Sequence, residues 1–96
     1  MNLDLFARQH ELRASFEANQ IQFLLTELET AMTFCDVAKS SNDLEKTKRN
    51  IKNAWTGYET ALKLARTAHF DMHSKSEYDD KLARLRSKLK ELGQQV

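Results

Sequence analysis

The sequence predicts an all-α domain. It reads as a long antiparallel helical hairpin (about 2–39 and 43–68) plus a C-terminal helix (about 75–93), forming a helical bundle. Three observations carry this. The 96 residues contain no proline and only two glycines, Gly57 and Gly93, where a β-rich chain would need several tight turns. Strong helix formers are abundant. Apolar residues recur at steps of three and four in each of three stretches. With 41% hydrophobic and 30% charged residues, the composition suits amphipathic helices in a single domain, 1–96, rather than disorder.

The first helix carries two apolar stripes. The broad one is Ile21, Leu24, Leu25, Leu28, Ala31, Met32, Cys35 and Ala38. The other, Leu5, Leu12, Phe16, Phe23 and Phe34, lies roughly 140° around the axis. A folded hairpin covers one stripe; the second needs another surface, in the same chain or in another copy. Asn2 is the expected N-cap. Unbroken, the helix spans about 57 Å. A break at Glu17–Gln20, where Asn19 and Gln22 resemble a capping box, would fold Leu5, Leu12 and Phe16 back onto the core as a fourth helix. The lack of glycine or proline there favours continuity.

Lys39-Ser40-Ser41-Asn42-Asp43 reads as a turn, because four of these side chains compete for backbone hydrogen bonds. Asn42 with Glu45 resembles a capping box for the second helix. Its stripe is Leu44, Thr47, Ile51, Ala54, Trp55, Tyr58, Ala61, Leu62, Ala65 and Ala68, with Glu45, Lys52, Lys63 and Arg66 on the solvated face. Gly57 inside this helix costs about 1 kcal/mol against alanine, which fits either a close backbone approach or tolerated drift. Trp55 and Tyr58 read as core residues; the sharper reading has aromatics lining a groove for a partner helix.

His69 to Lys75 reads as the second connection, and Ser74 with Glu77 as the box that opens the third helix. Tyr78, Leu82, Leu85, Leu89, Leu92 and Val96 step 4, 3, 4, 3, 4 there, a narrow seam like that of a coiled coil. The seam fits either its own hairpin or the same helix of a second chain. Gly93 is the expected C-cap, with a fraying tail beyond it.

Charge is unevenly spread although the net value is +1. Residues 1–40 carry six acids and three bases, and residues 41–69 three acids and six bases, so the two antiparallel helices are expected to pair electrostatically. Basic segments 46–52 and 81–90 offer an alternative, a weakly nucleic-acid-associated protein. Acids are interleaved there and no aromatics stand ready for base stacking, so nucleic acid is not the expected partner.

His69 and His73 are the only residues with metal-ligand spacing, i and i+4 on a helix. Asp71 between them would point away on a helix and converge only in a loop, and a fourth ligand is missing, so neither metal nor cofactor is expected. Asp79 and Asp80 diverge on a helix, as do Glu27 and Glu29, and Cys35 has no histidine at helical reach. These patterns predict no enzyme. The lone Cys35 reads as a buried, reduced thiol. With Asp4 and Arg8 interrupting the N-terminal apolar cluster and no run of 18 apolar residues, a cytoplasmic location without membrane insertion is expected.

Ala54, Tyr58 and Ala61, followed by Leu62-Lys63-Leu64, resemble the second helix of a tetratricopeptide repeat, which implies helix-on-helix packing of small residues against a large one. The match covers under twenty residues. The repeat's tryptophan, leucine-glycine and tyrosine positions fall on Ala38, Ser41-Asn42 and Glu45, and no proline closes the unit. Glu27-Leu28, Thr30-Ala31 and Phe34, continued by Asn50, Ala54, Tyr58 and Ala61, are also similar to small helical bacterial proteins of no assigned activity. That likeness implies a fold and no chemistry.

The expected role is therefore a non-enzymatic protein-interaction or assembly module, its partner a second copy (a dimer) or another helical protein. The interface candidates are Leu12, Phe16, Phe23 and Phe34 on the first helix and Tyr78, Leu82, Leu85 and Leu89 on the third.

Overall fold

The computed structural model describes residues 3–96, with side chains from Ala7 onward. It comprises α1 (Leu3–Ser40), α2 (Leu44–Ala65) and α3 (Met72–Glu91), with no strand among the described residues. Asn2 and the side chain of Leu5 lie outside them. α1 runs unbroken through Glu17–Gln20 for 38 residues. No helix among the described residues is long and apolar enough to cross a membrane.

The broad stripe of α1 forms the middle of the core. Leu24, Leu25, Leu28, Ala31, Cys35 and Ala38 are buried, with Ile21 and Met32 half-buried beside them. α2 supplies Ala54, Tyr58 and Ala61, and α3 supplies Tyr78, Leu82, Leu85 and Leu89. Small residues dominate where α1 meets α2, and this brings the helices close. A Cβ added to Gly57 would stand 3.0 Å from Ala31 Cβ and 3.1 Å from the Glu27 carbonyl oxygen. The glycine thus offsets its poor helix propensity by permitting the close approach.

The first turn is capped one residue later than expected. Asp43, not Asn42, is the N-cap of α2, its carboxylate accepting from the backbone N–H of Glu45 (3.0 Å) and Lys46 (3.3 Å). Ser41 Oγ braces the turn by accepting from the Asp43 N–H at 3.1 Å. Leu44, expected in the buried stripe, is exposed, whereas Asn50 is buried with its amide donating to the Lys46 carbonyl at 2.8 Å.

The second connection also differs from expectation. α2 ends at Ala65 rather than Ala68, and tight i→i+3 bonds at Arg66 and Thr67 turn the chain. α3 begins at Met72 rather than near Lys75, because the capping box is Asp71 with Ser74, not Ser74 with Glu77. The Ser74 N–H donates to Asp71 Oδ1 at 2.7 Å, and the Asp71 N–H donates to Ser74 Oγ at 3.1 Å. A serine at the third helical position replaces the usual Glu or Gln. Phe70 stacks at a tilt on Tyr78, ring centroids 5.1 Å apart, and anchors the connection to the core.

α3 runs parallel to α1 in one register. Lys81 pairs with Glu29 (2.9 Å), Lys88 with Asp36 (2.7 Å) and Glu91 with Lys39 (3.2 Å), each pair separated by the same fifty-two positions. The acids of the first helix therefore meet bases of the third. The charge complementarity expected between α1 and α2 is not used for ion pairs among the described residues.

The C-terminus is tied down instead of fraying. Gly93 adopts φ +80°, and the N–H groups of Gly93 and Gln94 donate to the carbonyls of Lys90 (2.9 Å) and Leu89 (3.0 Å), a Schellman motif. This turn aims Gln94 at α2, where its Oε1 accepts from Trp55 Nε1 at 2.9 Å. Trp55 also meets Tyr58 edge-on at 5.5 Å, and Arg86 Nε donates to the Tyr58 hydroxyl at 3.0 Å. These contacts link α2 to α3, which otherwise touch less than either touches α1.

Two substitutions test this packing. Gly57→Ala gains about 1 kcal/mol of helix propensity but overpacks the seam, at a cost of about 1–3 kcal/mol. Urea unfolding should show a lower midpoint; a raised one would mean that the helices separate freely. Trp55→Ala should cost about 3 kcal/mol, the low end for a buried aromatic because Trp55 is half-buried, and Gln94→Ala about 1 kcal/mol. Parental midpoints for both variants would refute the docked C-terminus.

Candidate functional site

Helix length decides which apolar residues stay uncovered. α1 has 38 residues and α2 only 22, and the two are paired from their shared turn. About 25 Å of α1 therefore runs past the end of α2. From Ala7 to Phe16 every side chain is exposed, and the first fully buried one is Leu24. This arm gives the molecule its 65 × 23 × 17 Å extents and 17.2 Å radius of gyration. A compact domain of this length would have a radius near 12.5 Å.

The eight interface candidates fall into two groups. Tyr78, Leu82, Leu85 and Leu89 are buried in their own chain, which settles the α3 seam in favour of its own hairpin. Leu12, Phe16 and Phe23 are exposed by 71%, 68% and 53%. Phe34 is intermediate, packed by one side against the core. Leu12, Phe23 and Phe34 are each eleven residues apart. Eleven residues are close to three turns, so the three form a line that drifts only about 20° per step. On the same face between Phe16 and Phe34 stand Asn19, Gln20, Thr26 and Thr30, with Glu27 the sole charge, one turn from Phe23, half-buried and lining the groove beside Phe34. The acids that bind α3, Glu29 and Asp36, lie roughly 140° away around the axis.

Next to Phe34 this face opens into a shallow groove between α1 and α2 of about 320 Å³. Glu27, Thr30, Ala31 and Phe34 line one wall; Asn53, Thr56 and Gly57 line the other. The groove exists because Ala31 and Gly57 have almost no side chain to fill it. The periodicity marked the stripe, but only the close helix approach creates the groove. Asn53 and Thr56, on the solvated side of α2, carried no sequence signal.

The elongated shape also shows in the surface area. The chain exposes 7016 Å², and a compact monomer of 11.2 kDa is expected to expose about 5,700 Å². The excess of about 1,300 Å² exceeds the roughly 800 Å² that each partner buries in a standard interface.

Other candidates do not converge. His69 lies in the connection and His73 in the first turn of α3, where it faces Glu77 at 4.0 Å, so a helix boundary separates the two imidazoles. No group of three potential metal ligands exists among the described residues. In the 81–90 segment Lys81 and Lys88 are held by α1 acids, Arg84 by Asp80 at 3.3 Å and Arg86 by the Tyr58 hydroxyl. Burial pushes the Cys35 thiol pKa up, and the neighbouring Asp36 charge adds to the rise. Two hydrogen bonds from Ser74, the backbone one the stronger, hold the Asp71 carboxyl below its ordinary range.

The geometry thus defines a three-helix domain whose longest helix presents an apolar, nearly uncharged face continuous with a groove. Comparison with protein-family models, with curated proteins and with solved structures finds no match.

Because burial favours the neutral thiol, the contribution of Cys35 to stability is fully present below the unfolded thiol pKa and is lost as pH rises through the folded one. Alkylation by iodoacetamide near pH 8 should be slow in the native chain and reach the free-thiol rate only in denaturant. Rapid native labelling would contradict the buried position.

Proposed function

We propose that this chain is a non-enzymatic assembly module that associates with further copies of itself through the free face of α1. The observation that carries the reading is the exposure of Leu12, Phe16 and Phe23 along one nearly uncharged face. Contiguous apolar surface of this kind marks interaction sites, and depletion of charge at its centre is typical of an interface core. The area excess supports the same reading. A cytoplasmic setting, where thiols stay reduced, suits the single buried Cys35.

Light scattering at tens of micromolar should return at least twice the 11.2 kDa chain mass. Phe23→Glu should return the monomer mass with its helical circular dichroism retained, because Phe23 is more than half exposed and contributes little to the fold. A monomeric parent chain would overturn the proposal, as would a Phe23→Glu variant that still assembles. Capture of a different helical protein by a monomeric chain would replace it.

A further inference from the structure

Two residues of the stripe on α1 are placed evenly about a third. Leu12 and Phe34 lie eleven positions to either side of Phe23. If two copies of α1 lie antiparallel with Phe23 at their crossing, Leu12 falls opposite the partner's Phe34. Phe16 then falls opposite the partner's Thr30. Thr30 and Phe34 both line the groove beside Gly57. The arm that has nothing to pack on in its own chain is thereby carried over the groove that its own chain leaves open.

Resting on the self-association proposed above, we infer that two copies pair through antiparallel α1 helices, with Phe23 on the twofold axis and the Leu12–Phe16 segment of each copy seated over the Thr30–Phe34 groove of the other. A twofold interface uses one patch on both copies, and this patch is complementary to itself: its distal half is a ridge and its proximal half a groove. Antiparallel packing also opposes the two helix dipoles. A parallel pairing would set arm against arm and groove against groove. The surface leaves room for one such contact, since the whole-chain excess of about 1,300 Å² is more than the roughly 800 Å² a standard dimer takes from each partner. Of the residues around Phe23, Asn19, Gln20 and Thr26 are uncharged, and Glu27 falls opposite the partner's Asn19, about 12 Å along the axis from the partner's Glu27, so two copies meet without placing like charges together.

Cysteine cross-linking in a Cys35→Ala background tests the register. Under mild oxidation, Phe23→Cys should form a covalent dimer. Leu12→Cys alone and Phe34→Cys alone should not, because in each case the two thiols stand about 33 Å apart along the axis. An equimolar mixture of those two variants, which keeps Phe23 intact, should link at least about tenfold faster than either alone, since pairing raises the local thiol concentration far above that in solution. Linking of Leu12→Cys to itself would show a parallel pairing and overturn the inference, as would a mixture no faster than its components. If the parent has a dimeric mass but this pattern fails, the register is wrong and self-association stands. If the parent is monomeric, both fall.

Discussion

The approach of α2 to α1 at Gly57 is the constraint from which the rest of the architecture follows. Ala31, Cys35 and Ala38 on one helix and Ala54, Gly57 and Ala61 on the other are buried, and at Gly57 nothing larger than the Ala31 methyl separates the backbones. Two helices this close cannot share a voluminous core between them. The leucines of α1 instead need a further element for cover, and α3 provides it with Leu82, Leu85 and Leu89. The same closeness leaves a furrow on the opposite flank, where Ala31 and Gly57 form the floor beside Phe34. A tight seam thus fixes both where the third helix sits and where an unfilled groove remains.

α1 carries both neighbours, and it is longer than either. Its sides are consequently distinct: one binds α2 through small residues, one binds α3 through leucines bordered by the lysine–carboxylate pairs, and one stays open. Glu29, Asp36 and Lys39 are exposed at the surface, and surface ion pairs contribute at most about 1 kcal/mol each. Their shared spacing matters more for register than for strength, since a slip of α3 by one turn would break all three.

The helices and the buried stripe of α1 were legible in the sequence because periodicity over many residues is a strong signal. The exposed stripe was legible too, as a surplus of apolar residues that one hairpin cannot cover. What could not be read depended on single side-chain geometries. Asp43 and Asn42 are both good caps, and the choice between them rests on how Ser41 closes the turn. Asp71 opens α3 through a serine three residues on, a weaker version of the usual box, whereas Ser74 with Glu77 matches the usual residue types more closely. Asn50 is polar yet buried because its amide is satisfied within its own helix. The tail after Gly93 was expected to fray because nothing local holds it; its anchor, Trp55, lies thirty-nine positions away.

The constant offset between α1 and α3 also bears on how the chain reaches this structure. Contacts between α1 and α2 begin a few residues apart at the Ser41–Asp43 turn and grow outward, so each new contact closes only a small additional loop. Contacts between α1 and α3 have no such short-range start; the three ion pairs span fifty-two positions, and the first contact to form bears the full closure entropy. Loop-closure entropy therefore favours the hairpin as the nucleus, with α3 added onto it. Of the three helices α3 touches the others least, so its release, with the Trp55–Gln94 hydrogen bond, would cost the fold least and would bare the leucines of α1 to solvent.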